Sequence, residues 1–332
     1  MIRKSLLAAA AVSFATAGLA ADLPAKKAPA PVAAAPMFFV NDNTVSYSYQ
    51  FNATDPGVKG KFGKNVFSFT HFDVWAMGTN FFTVDVLKSP SADPASPCGL
   101  PGAPTTGCAG ATEIYGLFRS TLGFNQLFNT KAFSMGPLSN VSFEIGADFN
   151  SENNSLAPAK KSLVAGLQFS FGLPYKGYFN ISPLYFKEWN HNAFAQIFDG
   201  VPGGNTEFDG TWAVESVYAM PLGFLPESVP LTFSGRAAFY GPKGTGASQL
   251  APTPGNKTVT TFNSEQRLTL DIGKMAFGSA KADLVSAFVG YRYWTNKFGI
   301  SSSNNACRNT ANGQNAGSCT ENAATLGLNV KF

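Results

Sequence analysis

Along much of this chain, apolar and polar side chains alternate over stretches of about ten residues, the repeat of a strand whose two faces meet different surroundings. The stretch at 324–332 shows it best, with Ala324, Leu326, Leu328, Val330 and Phe332 interleaved with Thr325, Gly327, Asn329 and Lys331. Val141, Phe143, Ile145, Ala147 and Phe149 alternate in the same way with Ser142, Glu144, Gly146, Asp148 and Asn150, and Val45, Tyr47, Tyr49 and Phe51 with Ser46, Ser48, Gln50 and Asn52. The pattern predicts strands near 44–54, 65–77, 80–89, 112–124, 139–151, 160–173, 177–189, 207–221, 229–241, 257–273, 282–297 and 320–332. Twelve is an even number, which returns both ends of an up-and-down barrel to the periplasmic side.

The connections follow the same rule. Alternate links at 90–111, 191–206, 241–256 and 300–319 are long and polar or rich in Gly and Pro, as external loops are. The intervening links at 77–80, 173–176 and 222–228 are short; 125–138 is longer than a usual periplasmic turn. The expected fold is all-β: a transmembrane antiparallel up-and-down β-barrel of about 12 strands. A soluble β-sandwich also alternates, but only 13% of the residues are charged, 31 are Phe, and charged residues are sparse over long stretches of both faces. Trp75, Tyr115, Tyr175, Tyr178, Trp189, Trp212, Tyr218, Tyr291 and Trp294 fall near predicted strand ends, where aromatic belts meet the membrane interfaces. Phe332 is the kind of residue with which outer-membrane barrels commonly finish.

Residues 1–20 read as a signal peptide, with basic Arg3 and Lys4, an apolar stretch from Leu6 to Leu19, and small residues ahead of Ala21. Residues 21–42 read as a flexible Ala/Pro-rich periplasmic segment, and 43–332 as a single barrel domain in the bacterial outer membrane. Beyond the signal there is no apolar run of about 20 residues, so helical spans are not expected. Four cysteines suit export to an oxidising compartment. Cys98 with Cys108 and Cys307 with Cys319 are each expected to close their own external loop as a disulfide.

The formal net charge of +4 is too small for a nucleic-acid binder. With two histidines, His71 and His191, no Gly-x-Ser-x-Gly elbow, and cysteine pairs without zinc-ligand spacing, no enzyme, metal or cofactor is expected. The glycines of 57–65 lack phosphate-loop spacing. What remains is the inner wall. Alternation turns Phe81, Asp85, Glu113, Tyr115, Arg119, Glu144, Asp148, Arg236, Glu265, Arg267, Arg292 and Trp294 inward as solute-path candidates. Asn263, Thr269 and Asp271 complete the polar row of the tenth strand. Both charge signs and several aromatic faces suit a solute with a ring to stack and hydroxyls to bond, a nucleoside first and a sugar close behind. A pore for anions would instead show a dominant ring of Lys and Arg.

Six stretches resemble, in order, the Tsx-type nucleoside-channel superfamily and its outer envelope protein relatives. They are VFSFTHFDVWAMGTNFFTVDVLKS (66–89), EIYGLFRSTLGF (113–124), VSFEIGADFNSENN (141–154), PAKKSLVAGLQFSFGLPYKGYFNISPLYFKEWN (158–190), TWAVESVYAMPLGF (211–224) and YRYWTNKFGI (291–300). Val74 stands where that family's second-strand motif has glycine, and the two cysteine loops look like additions. The resemblance implies a monomeric twelve-stranded outer-membrane barrel acting as a passive nucleoside channel, with Phe81, Asp85, Glu113, Arg119 and Arg292 among its lumen positions. The expected partners are outer-membrane lipid and small solutes. A narrow or plugged barrel with a structural or adhesive role, and a sugar-selective porin, are the alternatives.

Overall fold

The computed structural model describes residues 37–56, 61–91, 110–153, 159–191, 205–244, 257–303, 307 and 317–332. The segment read as an export signal, and the disulfide expected between Cys98 and Cys108, lie outside these residues. The strands are β1 (Phe38–Ala53), β2 (Phe62–Trp75), β3 (Gly78–Lys88), β4 (Thr112–Gly123), β5 (Leu138–Glu152), β6 (Ala159–Gly172) and β7 (Tyr178–His191). They continue with β8 (Asn205–Glu207), β9 (Thr211–Pro221), β10 (Leu231–Tyr240), β11 (Thr261–Asp271), β12 (Val285–Thr295) and β13 (Thr320–Lys331). Each pairs antiparallel with its neighbour along the wall. Pairing of β6 with β7 and of β1 with β13 closes a twelve-stranded barrel, with the three-residue β8 attached to β7 alone.

The register puts the apolar rows outside. Phe67, Leu163, Val289 and Leu326 leave 53–54% of their surfaces uncovered, while Ser48, Gln50, Glu144, Asp148, Ser162, Glu188 and Glu215 on the opposite parity are buried. Such an inside-out distribution is unstable in water and stable in hydrocarbon, where a closed barrel leaves no unpaired strand edge. This is a membrane-spanning barrel of the outer-membrane kind. No helix among the described residues is long and apolar enough to cross; the strands make the crossing.

Three departures from the predicted elements have a clear local reason. The barrel starts at Phe38 rather than 43, because an irregularity between Phe38 and Val40 breaks the alternation that would have announced it. The predicted strand 207–221 starts in the wall only at Thr211, as β9; Glu207 belongs to the separate β8, and Phe208–Gly210 lie between the two. The long link before β5 is a folded turn. The Asn125 side chain donates to Ser134 Oγ (2.8 Å) and the Ser139 carbonyl (3.3 Å) and accepts from the Phe133 N–H (3.0 Å). Phe124, Phe128 and Phe133 pack ring to ring above a short helix, α1 (Phe124–Leu127). Asp271 also departs from its expected role. Its carboxylate caps the helix α2 (Ile272–Phe277) by accepting from the Lys274 N–H and the Asp283 N–H, which takes it out of the lumen row.

Candidate functional site

The inner wall is built from alternate residues, and all twelve solute-path candidates occupy its register positions. Phe81 pairs with Arg119, Asp85 with Tyr115, and Glu113 with Glu152. Arg236 pairs with Glu265 and Glu265 with Arg292; Arg267 lies opposite Gly290, and Trp294 opposite Asn263. Tyr115 and Trp294 therefore belong to the interior rather than to the aromatic belts, although they stand near strand ends.

Arg119 organises one side of the lumen. From β4 it reaches Glu215 on β9, four strands around the wall, in a two-pronged contact: Nε to Oε2 at 3.0 Å and Nη2 to Oε1 at 2.7 Å. Its Nη1 donates to Asp148 Oδ1 at 2.6 Å and to the Phe118 carbonyl at 2.8 Å. Two donors per carboxylate give this pair geometric specificity as well as strength. Glu215 also accepts from Arg236 (3.0 Å) and from the Tyr240 hydroxyl (2.8 Å). Glu144, a salt-bridge distance of 3.9 Å from Arg119, accepts from Ser182 (2.6 Å) and Gln168 (2.9 Å). Between this chord and the wall, Val164, Leu184, Phe186 and Ala213 form a small apolar core. That side of the lumen is filled. Gly146 makes the arrangement possible, because a Cβ there would lie 2.5 Å from Arg119 Cδ and 2.5 Å from the Phe118 carbonyl oxygen.

The other side is lined by hydrogen-bonding groups that stay accessible. Arg267 holds Glu265 (2.7 Å) with 41% of its side chain exposed, and its guanidinium lies 4.5 Å above the Phe288 ring. Phe288 has room there because Gly327 faces it; a Cβ at that position would come within 2.4 Å of the ring. Arg292 pairs with Glu321 (3.2 Å) and stacks on Trp294 (5.2 Å). Asp85, hydrogen-bonded to Thr83, faces this row from β3 across the lumen.

At the end carrying the long loops, short segments fold over the mouth. Lys243 pairs with Glu188 (2.6 Å) and sits 4.1 Å over the Phe208 ring. Lys297 donates to Glu321 (3.0 Å), Asp55 (3.0 Å) and the Thr54 carbonyl, and Lys64 donates to Glu113 (2.5 Å) and Asp55 (3.5 Å). Cys307 and Cys319 form the expected disulfide, Cα atoms 5.3 Å apart, packed on Ile300.

Asp55, just beyond β1, gives this rim a pH dependence. Burial alone would raise its carboxyl pKa, but Lys297 and Lys64 outweigh that and bring it from 3.8 down to about 2. A depressed carboxylate stabilises the fold above its ordinary pKa and stops doing so as pH falls through the depressed one. The shift corresponds to about 2 kcal/mol. Asp55→Asn is expected to lower the urea midpoint of the barrel near neutral pH, and the gap from the wild-type midpoint should narrow between pH 4 and pH 2.

Lys64, Glu188, Tyr240, Lys243, Lys297 and Glu321 are not among the residues that the sequence pattern singles out. Glu188, Tyr240 and Glu321 share the inward parity of their strands and are legible there; Lys243 stands in a loop, where alternation gives no signal, and Lys297, which the predicted strand 282–297 would turn outward, sits in the turn after β12. His71 is on the outer face, bonded to Asn43 (2.9 Å) and Asp73 (3.1 Å), and Asp73 is bonded in turn by Asn80. His191 contacts Asn205. Among the described residues no cluster of His, Cys, Asp and Glu could hold a metal ion.

No family model and no curated protein matches the chain. Among solved structures it is similar in fold to a KdgM porin in complex with disordered oligogalacturonate, at 8% identity, with 87% of this chain and 99% of that one covered and a TM-score of 0.40. It is likewise similar to the NanC porin (9% identity, 87% and 100% covered, TM-score 0.41). A third is an outer membrane channel from Pseudomonas putida F1 (11% identity, 90% and 97% covered, TM-score 0.41). At these identities the likeness is one of barrel architecture and says nothing of solute.

Proposed function

We propose that the protein is a channel through which small hydrophilic solutes, nucleosides first among them, diffuse passively across the outer membrane. The observation that carries this reading is the polar and aromatic row of Glu265, Arg267, Arg292 and Trp294 facing Asp85, with Arg267 laid over the buried Phe288 ring. A planar base finds aromatic and guanidinium faces on which to stack, and a ribose finds carboxylates and arginines with which to exchange hydrogen bonds. Many modest contacts suit passage, because each releases the solute as readily as it takes it. No energy source is required. The resemblance to Tsx-type channels agrees with this reading.

A narrow barrel with a structural role is the second reading, favoured by the Arg119–Glu215 chord that fills one side of the lumen. Liposome swelling with a panel of nucleosides, sugars and amino acids separates the two, because a plugged barrel swells with none. In planar bilayers, adenosine or thymidine is expected to block the conductance while glucose does not. Asp85→Ala and Arg267→Ala should each alter conductance or nucleoside block while assembly stays near wild type. Unchanged values in both variants would place the path elsewhere.

A further inference from the structure

Behind the rim, a cavity of about 70 Å³ opens into the barrel, lined by Phe186, Glu188, Tyr240, Lys243, Trp294 and Phe298 among others. Two of the residues that line it carry a polar atom buried without any hydrogen-bond partner: Glu188 Oε1, an acceptor, and Trp294 Nε1, a donor. The Glu188 carboxylate is fixed, since its other oxygen holds Lys243 at 2.6 Å and the residue is only 3% exposed. The Trp294 ring is fixed as well, edge-on to Phe298 at 5.1 Å, with the Lys297 ammonium 4.6 Å from its centroid. Neither atom can turn away to find a partner within the protein. Buried polar groups left this way cost free energy until something bonds them.

We infer that this cavity is a binding subsite for the hydroxyl-bearing ring of a neutral solute. The inference rests on the channel reading and deepens it. One hydroxyl donating to Glu188 Oε1 and one oxygen accepting from Trp294 Nε1 satisfy both orphaned atoms at once, a pairing that a polyol ring such as ribose or a hexose supplies. Phe186 and Tyr240, with ring centroids 4.8 Å apart, give the apolar ring face a wall to lie against. The solute is neutral because its donor must approach a carboxylate oxygen, which repels an anion, and because every charge lining the cavity except Lys160 has a counter-ion. Lys243 has Glu188, Arg236 has Glu215, and Asp148 has Arg119. The cavity has room for several water-sized groups, the scale of one ring and not of an oligomer.

Ligand-observed NMR on the detergent-solubilised barrel tests this without requiring transport. Adenosine and methyl β-ribofuranoside are expected to bind, with saturation strongest at the ribose protons. Trp294→Phe, which keeps a ring and removes the donor, should weaken both about five- to tenfold. Glu188→Gln should weaken them as well. Tyr291→Phe, on the outer face of the same strand, should leave binding unchanged. Galacturonate should bind no more tightly than the neutral riboside. Absence of riboside binding, equal affinity in wild type and both cavity variants, or tighter binding of galacturonate would each overturn the assignment. Liposome swelling on the same preparations reports separately on the channel: swelling without cavity binding sinks this inference alone, and binding without swelling sinks the channel reading alone.

Discussion

Replacing Arg119 with alanine is expected to destabilise the folded barrel by about 3–5 kcal/mol, the range for removing one partner of a buried charge network. Arg119, Asp148, Glu144 and Glu215 are all less than 9% exposed, so the carboxylates left behind have no water to take the place of the guanidinium. Glu215 keeps Arg236 and the Tyr240 hydroxyl, and Glu144 keeps Ser182 and Gln168. Asp148 loses its short contact outright. Arg119→Lys should recover part of the loss, because a single ammonium cannot reproduce the two-pronged contact with Glu215. Urea-induced unfolding in lipid vesicles measures the change. A double-mutant cycle with Glu215→Ala then isolates the bridge across the lumen, for which a coupling near zero would show that the chord holds nothing together. Cutting the chord also removes matter from the lumen, and single-channel conductance should rise in the same variant.

The second large effect belongs to the outer face. Leu326→Lys should destabilise the membrane-inserted barrel by about 2–4 kcal/mol, the cost of a cation near the middle of the hydrocarbon layer. Leu326 lies mid-strand in β13 with 54% of its surface uncovered, opposite Tyr49 on β1 and Val289 on β12. Ser46→Lys, on the inward parity of β1, should cost under about 1 kcal/mol, because the new ammonium faces polar neighbours. The two substitutions introduce the same residue on adjoining strands, so intrinsic strand preference largely cancels between them. Equal costs would mean that the two faces do not differ in environment, and a reversed order that inside and outside had been exchanged.

How much of this was legible beforehand follows from where periodicity survives. Tyr47 and Phe67 face one another across β1 and β2 on the outer surface, as their alternation required. Arg236, Glu265 and Arg292 form a continuous inward row over three strands because each strand keeps strict period two. The pattern fails where the backbone leaves that period: at the irregularity beside Phe38, at the break between β8 and β9, and at Asp271, whose carboxylate is drawn to a helix N-terminus. It is also silent about what a side chain reaches. Nothing in the spacing announces that Arg119 crosses to β9, that Gly146 makes room for it, or that Lys243 and Lys297 bend from loops into the mouth. Those contacts join residues far apart in sequence, and only closure of the wall brings them together.

That closure has a consequence for how the molecule is made. Apart from the β1–β13 seam, every pairing in the wall joins strands that follow one another along the chain or are separated only by the short β8. Those hairpins can zip locally and early, whereas the seam, from Thr44 with Lys331 to Gln50 with Thr325, must bring together segments from opposite ends of the described chain. Its loop-closure entropy is the largest of any pairing. Joining the seam is therefore the slow, committing event of assembly, and until it happens β1 and β13 each present a bare edge to any strand able to add to it.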